Sequence, residues 1–81
     1  MAYCRMGDGC DVYLYRSCDE RGDIYVFNLP YNRPFEWGEE KQTTYVMRPA
    51  SAAAQLAYAL QRAGYGIPDE AIARILKDMP G

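Results

Sequence analysis

Two stretches near the start of the chain, residues 11–16 and 23–29, alternate between aliphatic and aromatic side chains. A period of two residues is that of a β-strand, and branched aliphatic and aromatic residues favour strands. The polar run 17–22 that separates them ends in Gly22, which suits a turn that needs a positive φ. The pattern therefore predicts an antiparallel hairpin.

The hairpin is followed by residues 30–40, where prolines, an asparagine and a glycine predict a loop. A shorter alternating stretch at residues 43–47 predicts a third strand. Arg48 precedes a proline and is therefore biased toward an extended conformation. The strand should give way to a helix at or just after Pro49, because proline is favoured at the first helical position.

Residues 50–63 are rich in alanine and leucine, without a helix breaker, and their apolar positions recur at helical spacing. Gly64 supplies the left-handed residue that often follows a helix end. If the helix is capped at residue 63, Tyr65 lies where a Schellman motif expects an apolar contact. Pro68, followed by two acidic residues and an apolar stripe, predicts a second helix over residues 68–78.

These elements predict one α+β domain spanning residues 1–81, in which a three-stranded antiparallel sheet is followed by two helices packed on one of its faces. A two-stranded hairpin with a helical pair is the alternative. A chain of 81 residues buries a smaller share of its surface than a larger domain, so its stability should be marginal. We expect a homodimer interface to supply additional stabilisation.

The alternation also predicts which strand residues share a face. If the aliphatic residues pack against the helices, the aromatic residues must occupy the opposite face. The residues expected toward the helices are Val12, Leu14, Ile24, Val26, Thr44 and Val46. The residues expected on the opposite face are Tyr13, Tyr15, Tyr25, Phe27 and Tyr45. Two interpretations stay open: the loop covers this face with Tyr31, Phe35 and Trp37, or the face is a recognition surface, for which tyrosine is well suited.

Charge and composition narrow the classes of function. The formal net charge of −2 argues against a nucleic-acid partner, since a duplex binder needs a basic stripe. Glu36, Glu39 and Glu40 surround Trp37 and could meet a cation or a basic partner surface, or remain solvated. The chain has no histidine and no local catalytic pattern, and a small domain leaves little volume for a cleft. We therefore expect a protein that is not an enzyme and needs no cofactor.

The chain has three cysteines, Cys4, Cys10 and Cys18, and no two of them have the close spacing of a cysteine pair. This pattern predicts free thiols. A metal site built from the three thiolates and an aspartate (Asp8, Asp11 or Asp19) is an alternative, but structural zinc normally uses close cysteine pairs. A Cys4–Cys10 disulfide would require an oxidising compartment. The absence of a signal-peptide pattern and of a long apolar run predicts a cytoplasmic protein without a membrane partner.

Two segments resemble a known family. Tyr3-Cys4-Arg5, followed by the segment CDVYLY at residues 10–15, and the segment LQRAGYGIP at residues 60–68 are similar to the two ends of a family of small tailed-bacteriophage and prophage proteins. No counterpart is found for the middle of the chain, residues 28–47. The resemblance implies a phage or prophage origin, and the family has no activity to carry over.

We therefore expect a phage or prophage accessory protein that binds a host or defence protein in the cytoplasm of a bacterial host. Such a protein could inhibit a bacterial immune system in the manner of an anti-CRISPR. The alternative is a module that binds a small ligand, a nucleotide or single-stranded nucleic acid, because exposed aromatic rings on a sheet can stack on bases.

Overall fold

The computed structural model describes residues 1–7, 9–33, 35–37 and 40–79, and it describes residues 40 and 41 by their backbone alone. It confirms the α+β class: an antiparallel sheet is combined with two helices. Asp8 and Glu39 lie outside the described residues.

Six strands are present in the described part of the chain. They are β1 Ala2–Cys4, β2 Tyr13–Asp19, β3 Gly22–Asn28, β4 Phe35–Trp37, β5 Glu40–Gln42 and β6 Thr44–Met47. The main sheet has the order β1-β2-β3-β6, and β4 pairs only with β5. The three predicted strands correspond to β2, β3 and β6. The structure adds β1 to the main sheet, and it places β4 within the predicted loop and β5 at the end of that loop and just beyond it. Strands of three residues are too short for alternation to reveal.

The helices are α1, Ala50–Arg62, and α2, Asp69–Lys77. The predicted end of α1 is confirmed, since Gly64 has a φ of +97°. The Tyr65 N–H donates to the Leu60 carbonyl at 3.0 Å and the Gly64 N–H to the Gln61 carbonyl at 3.1 Å. These two bonds form a Schellman motif. Among the described residues, no helix is long and apolar enough to cross a bilayer.

A tight turn sets the register of the β2–β3 hairpin. Asp19 pairs with Gly22, so that only two residues connect the strands. The Arg21 N–H donates to Asp19 Oδ1 at 2.8 Å, and Gly22 takes the predicted positive φ, +112°. This turn places Leu14 opposite Phe27. Even-numbered residues of β2 therefore share a face with odd-numbered residues of β3.

The predicted division of side chains between the two faces is wrong for β3 and β6. Tyr25, Phe27 and Tyr45 are 2%, 0% and 3% exposed, and they pack in the core with Leu14 and the helices. The aliphatic residues of β3 and β6 turn to the other face instead: Ile24, Val26, Thr44 and Val46. The physical reason is the turn, because a hairpin with a two-residue connection pairs residues of opposite parity.

A carboxylate at the end of α2 connects this helix to the sheet. Asp78 accepts hydrogen bonds from the hydroxyls of Tyr3 and Tyr25 and forms an ion pair with Arg16 at 3.0 Å. Burial, together with the negative charge of Asp78, raises the pKa of both tyrosines above the ordinary value. Their hydroxyls therefore stay protonated and act as donors. Through these contacts Asp78 holds α2 against the helix-facing side of β1, β2 and β3.

A second carboxylate, Asp11, connects two loops. Asp11 Oδ2 accepts from Arg33 Nη1 at 2.7 Å and from the Gly66 N–H at 2.8 Å. The Arg33 guanidinium lies 4.1 Å from the centre of the Tyr65 ring. A Cβ at Gly66 would lie 2.9 Å from the Gly9 carbonyl oxygen. This close approach requires glycine at position 66.

The prediction of free thiols is wrong for two of the three cysteines. Cys4 and Cys10 form a disulfide, with their Cα atoms 6.1 Å apart, a separation that suits such a bond. Both are buried in the core, whereas Cys18 is a free, exposed cysteine in β2. The chain reverses between Cys4 and Cys10 through Gly7 and Gly9, both with positive φ. Spacing in the sequence could not show this reversal.

The disulfide should stabilise the fold, because it restricts the unfolded chain. Replacing both Cys4 and Cys10 by alanine should lower the free energy of unfolding by about 2 kcal/mol for so short a loop, measured by urea denaturation. Cys18→Ala is the matched control and should leave the transition unchanged. Unreduced, unfolded wild-type protein should take up iodoacetamide at Cys18 alone. Alkylation of all three cysteines would contradict the disulfide.

Candidate functional site

The face of the main sheet that points away from the helices is called the outer face. Both helices pack on the other side, α1 against β3 and β6 and α2 against β1. The strand register assigns ten side chains to the outer face: Ala2, Tyr13, Tyr15, Ser17, Asp19, Ile24, Val26, Asn28, Thr44 and Val46. Most of them are apolar.

The outer face is organised in rows that cross the strands. One row is entirely apolar and runs from Ala2 through Tyr15 and Val26 to Val46. Val46 lies at the end of this row and is 59% exposed. The ring of Tyr13 lies beside that of Tyr15, with the centroids 5.2 Å apart. The two rings therefore form one aromatic surface next to the aliphatic row.

Polar groups frame this apolar surface at both ends of the strands. At one end, Thr44 Oγ1 donates to Asn28 Oδ1 at 3.0 Å. At the other end, Arg48 forms two hydrogen bonds with the Asp19 carboxylate, at 2.9 and 2.6 Å. The bonds from Arg48, with a further one from the Arg21 N–H, lower the pKa of Asp19 to about 2. Both members of this ion pair therefore stay charged at neutral pH.

The composition of the outer face is unusual for a sheet with one face packed. Such a sheet normally alternates apolar residues toward the core with polar residues toward water. Here Tyr15, Val26 and Val46 occupy outward positions, although their neighbours in sequence already fill the core. Val26 at the centre of the row is 7% exposed, whereas Val46 at its end and the half-buried rings of Tyr13 and Tyr15 leave apolar surface open to solvent. An exposed apolar patch with a polar frame marks an interaction site.

The structure brings together only part of the predicted aromatic surface. Tyr13 and Tyr15 lie on the outer face, half-buried and adjacent. Tyr25, Phe27 and Tyr45 are on the opposite side of the sheet, inside the core. Because their rings have almost no exposed area, they cannot contact a partner while the domain is folded.

The aromatic residues Phe35 and Trp37 of the predicted loop pack on the core side of the sheet. Trp37 stacks on Phe35 with the ring centroids 6.3 Å apart, and Phe35 meets the edges of Tyr45 and Tyr65. The Tyr45 hydroxyl also donates to the Phe35 carbonyl at 2.7 Å. The β4–β5 hairpin thus covers aromatic core residues, while Tyr31 is 89% exposed and takes no part.

The acidic residues of the predicted site, Glu36, Glu39 and Glu40, belong to the segment of β4 and β5 and not to the main sheet. Glu36 is exposed in β4. Glu40 begins β5, where only its backbone is described, and Glu39 lies outside the described residues. Among the described residues, no three histidine, cysteine, aspartate or glutamate side chains converge as metal ligands would.

Sequence reasoning missed the aliphatic half of the outer face, Ile24, Val26 and Val46. The signal that could have found it is the length of the turn. Counting back from a two-residue turn pairs Tyr15 with Val26 and places them on one face. The prediction instead followed residue type, which assigned every aliphatic side chain to the core.

Comparisons of the chain with protein-family models, curated proteins and solved structures found no match. The similarity of the two terminal segments to phage proteins therefore stays a prediction. The geometry and charge of the outer face are the basis on which a function can be inferred.

Substitution of a core aromatic residue should lower the free energy of unfolding more than substitution of an aromatic residue on the outer face. Phe27→Ala removes a buried ring and should cost about 3–5 kcal/mol. Tyr13→Ser removes a half-buried ring from the outer face and should cost about 1 kcal/mol or less. Urea denaturation followed by circular dichroism measures both. Equal losses in the two variants would mean that the outer face is buried within the monomer.

Proposed function

We propose that this protein acts by binding another protein through the outer face of its sheet. The observation that carries this proposal is the apolar row ending at Val46, flanked by the paired rings of Tyr13 and Tyr15. Tyrosine offers a large amphipathic contact area at low entropic cost and is enriched in interface hot spots. The polar groups at the two ends supply the hydrated rim that such interfaces have.

The charges of the outer face favour a protein over a nucleic acid. A surface that stacks bases usually combines aromatic rings with basic side chains that follow the phosphates. Here the Arg48 guanidinium is neutralised by Asp19, and the apolar row holds no charged side chain. The formal net charge of the chain is also negative. Both facts weaken attraction to a polyanion.

The partner that we propose is a host or defence protein of a bacterium, and the site of action is the host cytoplasm. Support for this part comes from the resemblance of the terminal segments to tailed-phage proteins. Binding at a functional surface of a bacterial immune protein would make this protein an inhibitor. The mechanism then requires no catalytic group, because occupation of the surface is sufficient.

Action in a reducing cytoplasm has a structural requirement, because disulfides are rare in that compartment. The outer face must persist when Cys4 and Cys10 are reduced. Its apolar row depends chiefly on β2, β3 and β6, which contain neither cysteine. The edge strand β1 also keeps the main-chain bond from the Arg16 N–H to the Met1 carbonyl, at 2.7 Å.

Immobilised protein exposed to bacterial lysate should capture a partner that depends on the outer face. Tyr15→Ser should weaken binding by at least about 2 kcal/mol if Tyr15 is a hot spot, whereas its circular dichroism spectrum should match that of the wild type. Tyr58→Ser is the matched control, because Tyr58 is exposed on α1, which packs on the opposite side of the sheet. Quantitative mass spectrometry compares the captured proteins, and calorimetry with the purified partner gives the affinity.

Two results would contradict this function. One is capture of the same proteins, in the same amounts, by Tyr15→Ser and the wild type. The other is purified protein that carries a nucleotide, seen as excess absorbance at 260 nm, and loses it in Tyr15→Ser. That second result would favour a base-stacking module.

A further inference from the structure

The two edges of the main sheet differ in how they are protected. At the β1 edge, the pairing shifts between Ala2 and Cys4, which makes the ladder irregular. At the β6 edge, Thr44–Met47 pairs with β3 in an unbroken register and contains neither proline nor a charged residue. Bulges, prolines and charges are the usual means by which proteins prevent pairing at an edge. The β6 edge has none of them.

The register also identifies which main-chain groups of β6 face outward. The Leu29 N–H donates to the Thr43 carbonyl at 2.6 Å, so this opposed pair is a hydrogen-bonded one. Hydrogen-bonded and non-hydrogen-bonded pairs alternate along an antiparallel ladder. Tyr45 and Met47 therefore direct their N–H and C=O groups toward β3. The N–H and C=O groups of Thr44 and Val46 point away from the sheet.

These outward groups make no main-chain hydrogen bond with any described residue. Thr44 and Val46 are two residues apart, and their side chains are exposed. Their four main-chain groups form the pattern with which an edge strand accepts another strand.

We propose that the strand accepted here is β6 of a second copy of this chain, antiparallel to the first and with Val46 opposite Val46 of the second copy. In this register each Val46 exchanges both of its main-chain bonds with its counterpart. The two sheets join into one sheet of eight strands. The interface is related by a two-fold axis, as expected for a homodimer.

The apolar row supports a second copy as the occupant. The row from Ala2 to Val46 ends in a 59% exposed side chain, and the residue added beside Val46 should be apolar to continue it. Val46 of a second copy meets that requirement, since opposed β-branched residues stabilise a sheet. The row then extends without interruption from one copy into the other.

The charges around β6 are compatible with this register. Thr44 lies opposite Arg48 of the second copy, and each Arg48 is already paired with Asp19 of its own chain. No like charges are therefore opposed across the new pairing. A second copy also supplies the additional stabilisation that a small domain needs. The dimer leaves the outer face open, so it goes beyond the proposed binding function and does not depend on it.

Sedimentation equilibrium of the wild type tests the dimer, and Val46→Pro tests its geometry. Proline at position 46 removes only an outward N–H, which edge strands tolerate, and so keeps the ladder between β6 and β3. Loss of the two bonds at the two-fold axis should raise the dissociation constant roughly 10- to 100-fold.

Val46→Lys keeps the N–H but opposes two like charges, and it should also give monomers. Val46→Thr is the matched control and should remain dimeric.

The circular dichroism spectrum and melting transition of each variant show whether it is folded. If Val46→Pro does not fold, the Val46→Lys variant decides the question. A wild-type protein that is monomeric at its highest soluble concentration would overturn the proposal. So would a dimer that persists in folded Val46→Lys, or one that is lost in Tyr15→Ser, since the copies would then meet through the outer face or elsewhere.

Discussion

The two-residue connection between β2 and β3 is the constraint on which the rest of this structure depends. Because Asp19 pairs with Gly22, every residue of β3 is assigned to a face, and β6 inherits the assignment through its pairing with β3. Shifting the register by one residue would exchange the faces. Phe27 would then leave the core and Val26 would enter it. The composition of the outer face is therefore a consequence of turn length.

Packing against the helices makes that register favourable. The interior side of the sheet carries large aromatic side chains, and α1 meets them with small residues, among them Ala53 and Ala57, both fully buried. The small side chains allow the helix to approach rings that would otherwise hold it away. Asp78 then ties α2 to β1, β2 and β3 through two tyrosine hydroxyls and Arg16. The remaining aliphatic residues, Ile24, Val26 and Val46, lie on the outer face, and Val46 is the most exposed of them.

Much of the fold could be predicted from local sequence signals, and the site only in part. The helix end at Gly64 and the hairpin depend on neighbouring residues, so that propensity and turn chemistry predicted them. The faces of β3 required the register, which residue type alone does not give. The Cys4–Cys10 disulfide and the Asp11–Arg33 contact depend on loops that meet only in the folded chain. Tyr13 and Tyr15 were predicted correctly as neighbours on one face, because both lie on one strand.

The register of the hairpin can be measured directly by nuclear magnetic resonance. Because Phe27 directs its main-chain N–H and C=O groups toward β6, its pair with Leu14 on β2 is a non-hydrogen-bonded one. The two Cα atoms of such a pair approach most closely, at about 4.5 Å. A strong nuclear Overhauser effect between their Hα protons, with another between those of Arg16 and Tyr25, is the result expected for this register. Effects that instead pair Leu14 with Val26 would place the aromatic rings outside and contradict the account of the outer face.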